Sequence, residues 1–470
     1  ATGQFGRFLP ESMPLDVLLH YTLPRWLHDR VGADPALLAR AWGALAAGAL
    51  GALGAAFAGG ASAGPKEEPA PVALPLAIAL VLGAPLVLFT GFPKSTAELC
   101  VATLALAWLG ARLLRGERVH VGFGAVLALA LLDHRSMLTL LPAALLVAID
   151  RVRARDPAGA LAMGFGVPLA TLLVATPWIS RIVLEYDVPM HFFRGAGGSA
   201  TGGAALHALD AVNAVLLVTP AIVLGGLVVA AWPRARRRPE LLYLLAMVAG
   251  SVPAIVFVHP RQGLPRDWEI FAPAGVAITA LVAWATGALA SARQVRPGIA
   301  FTLAASAAAP ALALVLHAHS ESESMARTRA LLAGPPQRET IERVFLWDYL
   351  AGRDESRGRW ADAASAMEQV ARVRPDRGAL LSWGLTATRA GEFGSARRAF
   401  TQMLAADSLD VAAKIGLGGA AEQAGDTTTA ARMRRAIAPT IADARTREAL
   451  RGMLVENPRL WPSLLASLPR

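Results

Sequence analysis

The chain has 470 residues, of which 54% are apolar, 17% charged and 6% aromatic, with mean hydropathy +0.45 and net charge +10. Soluble domains carry nearer about 25% charged residues, so a single water-soluble globule and a disordered chain are both excluded; the lone Cys100, set in an apolar run, excludes a disulfide scaffold. The first 317 residues hold 23 Lys/Arg and 17 Asp/Glu, and the shorter remainder holds 22 and 18, the pattern of a membrane body joined to a soluble-like tail.

Residues 1–35 interleave Leu15, Val17, Leu18, Leu19, Leu23, Trp26 and Leu27 with Glu11, Asp16, His20, Arg25 and His28, which reads as an amphipathic helix on the outer membrane face. The chain starts at Ala1 with no span before residue 35, so the expectation is either a processed or truncated start or an upstream span left out. Crossing a bilayer takes roughly 17–25 apolar residues. Such stretches lie near 36–61, 71–91, 97–114, 157–178, 207–232, 239–258, 270–290 and 297–317, within a transmembrane domain of residues 36–317. The run 119–149 is too long for one pass and is interrupted by Asp133-His134-Arg135-Ser136. It predicts two short helices, 119–132 and 137–149, whose polar junction lines a recessed cavity.

Arginine placement sets the sides. The loops 112–118, 151–155, 233–240 and 291–296 are the basic ones and are expected to be cytoplasmic; 91–96, 179–206 and 259–269 then face outward. The same placement explains a pI near 10.7 without nucleic acid as a partner. The last span exits outward, so the tail is expected on the periplasmic or extracytoplasmic side of a bacterial inner (plasma) membrane.

After a linker helix at 318–343, residues 344–440 repeat with a period near 34. Gly391 and Gly425, Gly384 and Gly418, and Ala396 and Ala430 are each 34 apart; Gly358, Ala363 and Pro375 fill matching slots one residue out of phase. GRWADAASAMEQVARVRPD and GEFGSARRAFTQMLAADSLD resemble the second-helix halves of tetratricopeptide repeats, with capping helices at 441–470. That resemblance implies stacked helical hairpins that bind a protein or glycan partner and carry no chemistry.

Soluble-enzyme motifs such as a phosphate-binding GxxxxGK[ST] or a zinc-binding HExxH are missing from the sequence. The candidates are ionisable residues at outer span ends, where charge near hydrocarbon is costly. Lys94 and Glu98 flank the start of one span; Asp133, His134 and Arg135 form the interrupted junction; His259, Arg261, Arg266, Asp267, Trp268 and Glu269 crowd one Pro-stiffened loop. Glu98, Asp133 and Asp267 are the candidate catalytic carboxylates, and Lys94, His134, Arg135, His259, Arg261, Arg266, Trp268 and Glu269 the candidate substrate and phosphate ligands. The loop 185–206, with Glu185, Asp187, His191 and Arg194, reads as a lid or a linker.

The outer amphipathic segment, PKSTAEL with Glu98, LLDHRSMLTLLP and RDWE at 266–269 together resemble the GT-C polytopic glycosyltransferases. The resemblance implies inverting sugar transfer from a polyprenyl-phosphate donor, without a nucleotide sugar, to an envelope glycan, lipid or protein, and allows a divalent metal without indicating one. It also implies a main carboxylate in the first outer loop, for which only Glu11 or Asp16 could stand in here. Two other readings stay open: a transporter or flippase of lipid-linked intermediates, and a non-catalytic scaffold presenting the repeats. The expected fold is all-α: a polytopic transmembrane helical bundle followed by a soluble tetratricopeptide-like α-solenoid.

Overall fold

A computed structural model describes residues 13–62, 72–83, 95–188, 202–258, 267–334 and 337–468. Among the described residues every regular element is helical, and the chain divides into two compact units, Ala1–Ser320 and Glu321–Arg470.

In the first unit, α1 runs from Pro14 to Val31 through a π turn at Leu18–Thr22 and stops at the left-handed Gly32. It is followed by α2 (Pro35–Ser62), α3 (Ala73–Val81), α4 (Thr96–Leu114), α5 (His120–Asp133) and, after a 3-10 turn at Arg135–Leu140, α6 (Leu141–Arg153). Helix α7 covers residues 158–187 with two π turns; α8 (Gly202–Val218) and α9 (Gly226–Ala235) flank a 3-10 turn at Pro220–Leu224. Last come α10 (Pro239–Phe257), a 3-10 turn at Trp268–Phe271, α11 (Ala272–Ser291) and α12 (Gly298–His319). Among the described residues six stretches are long and apolar enough to cross a membrane: Pro35–Ala61, Thr96–Leu114, Ala158–Glu185, Pro239–Phe257, Trp268–Ser291 and Gly298–His317.

Small residues decide which helix is central. Along α11, Ala, Gly and Val dominate, so α2, α3, α4, α9 and α10 all pack on it and almost none of it stays uncovered. Helix α7 is the opposite. Leu169, Leu173 and Val174 are exposed along it, an arrangement that is costly in water and unpenalised in hydrocarbon.

The interrupted run breaks where the sequence predicts, and its second helix begins at Leu141, later than expected, after a 3-10 turn. Helix α5 ends at Asp133, and His134 is extended at φ −155°, ψ 137°. The His134 Nδ1 accepts the Ser136 N–H at 3.1 Å, capping the 3-10 turn that leads into α6. Helix α5 has 14 residues, about 21 Å at about 1.5 Å each, short of a crossing of about 30 Å.

Two expectations are corrected. The stretch 207–232, read as one pass, is broken: Pro220 bars its predecessor from the helical region, and Thr219 sits at φ −144°, ψ 70°. The stretch read as ending at 178 continues as helix to Asp187, so Glu185 and Asp187 stand on α7 and not in a loop. Of the stretch 71–91, only Ala73–Val81 is described as helix.

In the second unit, α13 (Glu321–Ala333) lies within the expected linker and precedes α14 (Thr340–Ser356), α15 (Trp360–Val373), α16 (Arg377–Ala390), α17 (Phe393–Ala406), α18 (Val411–Gln423) and α19 (Thr427–Ala442). Each of α14 to α19 packs on the next, and α16 also meets α18. Gly358, Gly391 and Gly425 follow the first helix of each pair at φ 70°, 78° and 82°, a conformation open to glycine at little cost. The period of 33 to 34 residues is therefore a structural one. Ala363, Ala396 and Ala430 are buried at equivalent places, and the Phe400 ring wedges against Gly384 and Gly416. Asp376, Asp410 and Asp426 cap α16, α18 and α19 by accepting backbone N–H groups at 2.8 to 3.0 Å. Helices α20 (Ala444–Glu456) and α21 (Pro462–Ser467) close the unit around a fully buried Trp461.

Candidate functional site

Four elements of the first unit bring acidic groups together. Ser95 and Thr96 open α4, which places Glu98 in its first turn, where the helix dipole favours a carboxylate. Glu98 Oε1 lies 3.1 Å from His20 Nε2 of α1 and accepts the indole N–H of Trp42 of α2. One helical turn before His20, Asp16 lies 3.9 Å from the same imidazole nitrogen and hydrogen-bonds the Ser95 side chain. The start of α1 packs on α5, whose last residue is Asp133. Asp133 is 3% exposed and is coupled through its charge to Glu98, Asp16 and His20.

Asp133 is held in an unfavourable place twice over. It sits at the negative end of a helix, and both of its carboxylate oxygens are buried without a hydrogen-bond partner, as is Glu98 Oε2. A buried polar atom left unsatisfied costs about 1–3 kcal/mol, more when charged. While ionised, a carboxylate can only accept hydrogen bonds, so in that form these three atoms call for a donor.

On α1, outside the spans, burial and the Glu98 charge push the Asp16 carboxyl up against the opposing pull of His20 and Ser95. For His20, burial opposes the charged form, but the Glu98 carboxylate 3.1 Å away, with the charges of Asp16 and Asp133, outweighs it and raises the imidazole above 6.5. Among the described residues no group of three or more His, Cys, Asp or Glu has the arrangement of a metal site.

Arg135 and His134 are engaged elsewhere. The Arg135 guanidinium grips Asp187 with Nε and Nη2 at 2.5 and 2.7 Å and reaches Met13 Sδ at 3.3 Å. This bidentate pair ties the junction to the end of α7. The His134 ring is turned onto Ser136, with its Nδ1 2.8 Å from the hydroxyl. Glu269 is buried and Trp268 half-buried in a turn that packs on α8, with Asp267 immediately before it. Lys94, His259, Arg261 and Arg266, and also Glu11, lie outside the described residues.

Of the sequence candidates, Glu98 and Asp133 lie near enough for their charges to act on each other. Sequence reasoning passed over His20 and Trp42, and weighed Asp16 only as a stand-in. The signal was present: Asp16 and His20 are four apart on one helix face, and Trp42 is a polar N–H one or two turns into an apolar span. No family model, curated protein or solved structure matches the chain.

Proposed function

We propose that this chain is a multi-pass membrane glycosyltransferase that moves a sugar from a polyprenyl-phosphate donor to an envelope glycan, lipid or protein on the outer face of a bacterial plasma membrane. The observation that carries the reading is the meeting of Asp16, Glu98 and Asp133, with three buried carboxylate oxygens lacking donors. An acceptor hydroxyl supplies such a donor. A carboxylate takes its proton, the freed oxygen attacks the anomeric carbon, and the bond from that carbon to the phosphate oxygen breaks with inversion, releasing polyprenyl phosphate. Because Arg135 is committed to Asp187, the cations that steady the departing phosphate are assigned to Lys94, Arg261 and Arg266. In this reading the tail is a tetratricopeptide-like array on the same side, a role supported by its 33- to 34-residue period of left-handed glycines.

The test is sugar transfer by the purified chain in lipid vesicles, with a panel of polyprenyl-phosphate pentoses and hexoses as donors and envelope glycan as acceptor. Glu98→Gln is expected to lower the rate about 10²- to 10⁴-fold; full activity in that variant contradicts the assignment. A second reading, a flippase of lipid-linked sugars, is favoured by the further interrupted helix at Thr219-Pro220. It predicts movement of labelled donor between leaflets with no transfer.

A further inference from the structure

The second unit contains a pocket that the transfer reading does not use. Trp360 at the start of α15, Leu385, Thr388 and Arg389 of α16, and Asn457 to Leu460 of the turn before α21 enclose about 240 Å³. Two guanidiniums border it. Arg389 lies over the Trp360 ring at 5.0 Å and donates to Asn457 Oδ1 at 2.6 Å; Arg459 donates to the Arg389 carbonyl at 3.1 Å.

Both arginines are therefore fixed by neutral acceptors, and among the described residues neither forms an ion pair with a carboxylate. Other tail arginines are matched differently: Arg359 with Asp354, Arg372 with Glu368, Arg377 with Asp410, Arg434 with Glu422. Both cations line one pocket, and the donors that hold them are preset in direction. The turn carrying Arg459 is rigid. Trp461 beside it is buried against Gly418, and its indole N–H donates to Glu422 at 3.0 Å. Gln423 donates to the Arg459 carbonyl.

We propose that this pocket is a docking site for an acidic side chain of an extended partner peptide, with the carboxylate bridging Arg389 and Arg459 and an adjacent apolar residue resting on Leu385 and Leu460. Charge complementarity selects the occupant: a pocket with two arginines and apolar walls fits a carboxylate beside an apolar residue. The inference is independent of the transfer chemistry.

The test uses the full chain in detergent micelles and a fluorescein-labelled peptide of alternating Glu and Leu, read by anisotropy. The peptide is expected to bind, and its Gln-for-Glu counterpart and the Arg389→Gln/Arg459→Gln chain are each expected to lose about tenfold or more in affinity. Arg435→Gln, which removes one positive charge elsewhere on the tail and so matches the single Arg459→Gln, is expected to bind normally. If the double variant melts early, the single Arg459→Gln carries the test, with a loss of about threefold or more, since Arg459 is exposed and makes one backbone contact. No binding by the parent chain, an equal loss in Arg435→Gln, or preferential binding of an acidic polysaccharide would overturn the proposal.

Discussion

His20 is the residue on which the cover of the acidic site turns. It joins α1 to Glu98 on α4, and its imidazole is raised above 6.5 by that partner in spite of burial. A raised folded-state value means that the contribution of charged His20 is complete below pH 6.5 and is lost as the pH climbs through the raised value. Asp16 is raised as well and acts with the same sign at lower pH. Hydrogen-exchange protection of residues 14–31 in micelles, taken relative to the intrinsic rate at each pH, is therefore expected to fall as pH rises from 6.5, and His20→Gln to flatten that fall. Protection that grows over the same range would contradict the ion pair. In the tail the sign reverses at Asp410. Burial works against its charge, yet Arg377 and the N–H groups of Ala413 and Ala412 hold it below 3.8, so its contribution fades as pH falls past that value. Asp410→Ala removes both the cap and the ion pair and is expected to cost about 1–2 kcal/mol, read as a lowered melting temperature.

Elements were legible where a single physical rule governed them. The apolar runs announced the spans, and the charged interruption at Asp133-His134-Arg135 announced the break because a continuous helix would have buried three polar groups. The break at Thr219-Pro220 escaped because it carries no charge; only the proline, followed by Gly225-Gly226, marked it. The extension of α7 to Asp187 escaped because Glu185 and Asp187 look like loop residues until Arg135 provides a partner across the bundle. The contact between α10 and the 3-10 turn after His134 shows how tightly the junction is set. A β-carbon at Gly250 would strike the Thr139 carbonyl oxygen. Gly250→Ala would gain up to about 1 kcal/mol in helix propensity, but overpacking against backbone costs about 1–3 kcal/mol. The variant is expected to unfold more readily in denaturant and to lose transfer activity. A more stable variant would show that the turn can yield.

At the scale of the whole molecule, the charge pattern divided the chain near residue 317 and the structure divides it at Ser320. Composition alone separates an apolar body that holds the candidate spans from a more highly charged tail. The pairing of Glu98 with α1 was not legible, because it depends on how α1 lies on the bundle, a long-range arrangement that no local pattern encodes. Sidedness has its own test. Cys100 is the one cysteine in the sequence and is buried, so a Cys100→Ala background is silent to thiol reagents. In that background Arg118→Cys is expected to react with a membrane-impermeant maleimide only from the cytoplasm, and Leu409→Cys only from outside. Both reacting from one side would reverse or abolish the topology.

The central claim is that Asp16 and Asp133, on separate elements, serve one reaction centre with Glu98. A double-mutant cycle with Asp16→Asn and Asp133→Asn, measured as sugar-transfer rate in vesicles, tests it directly. Groups acting as a unit lose their effects together, so the double variant should be no slower than the worse single one, to within about threefold. Losses that multiply, or full activity in either single variant, would contradict a shared centre.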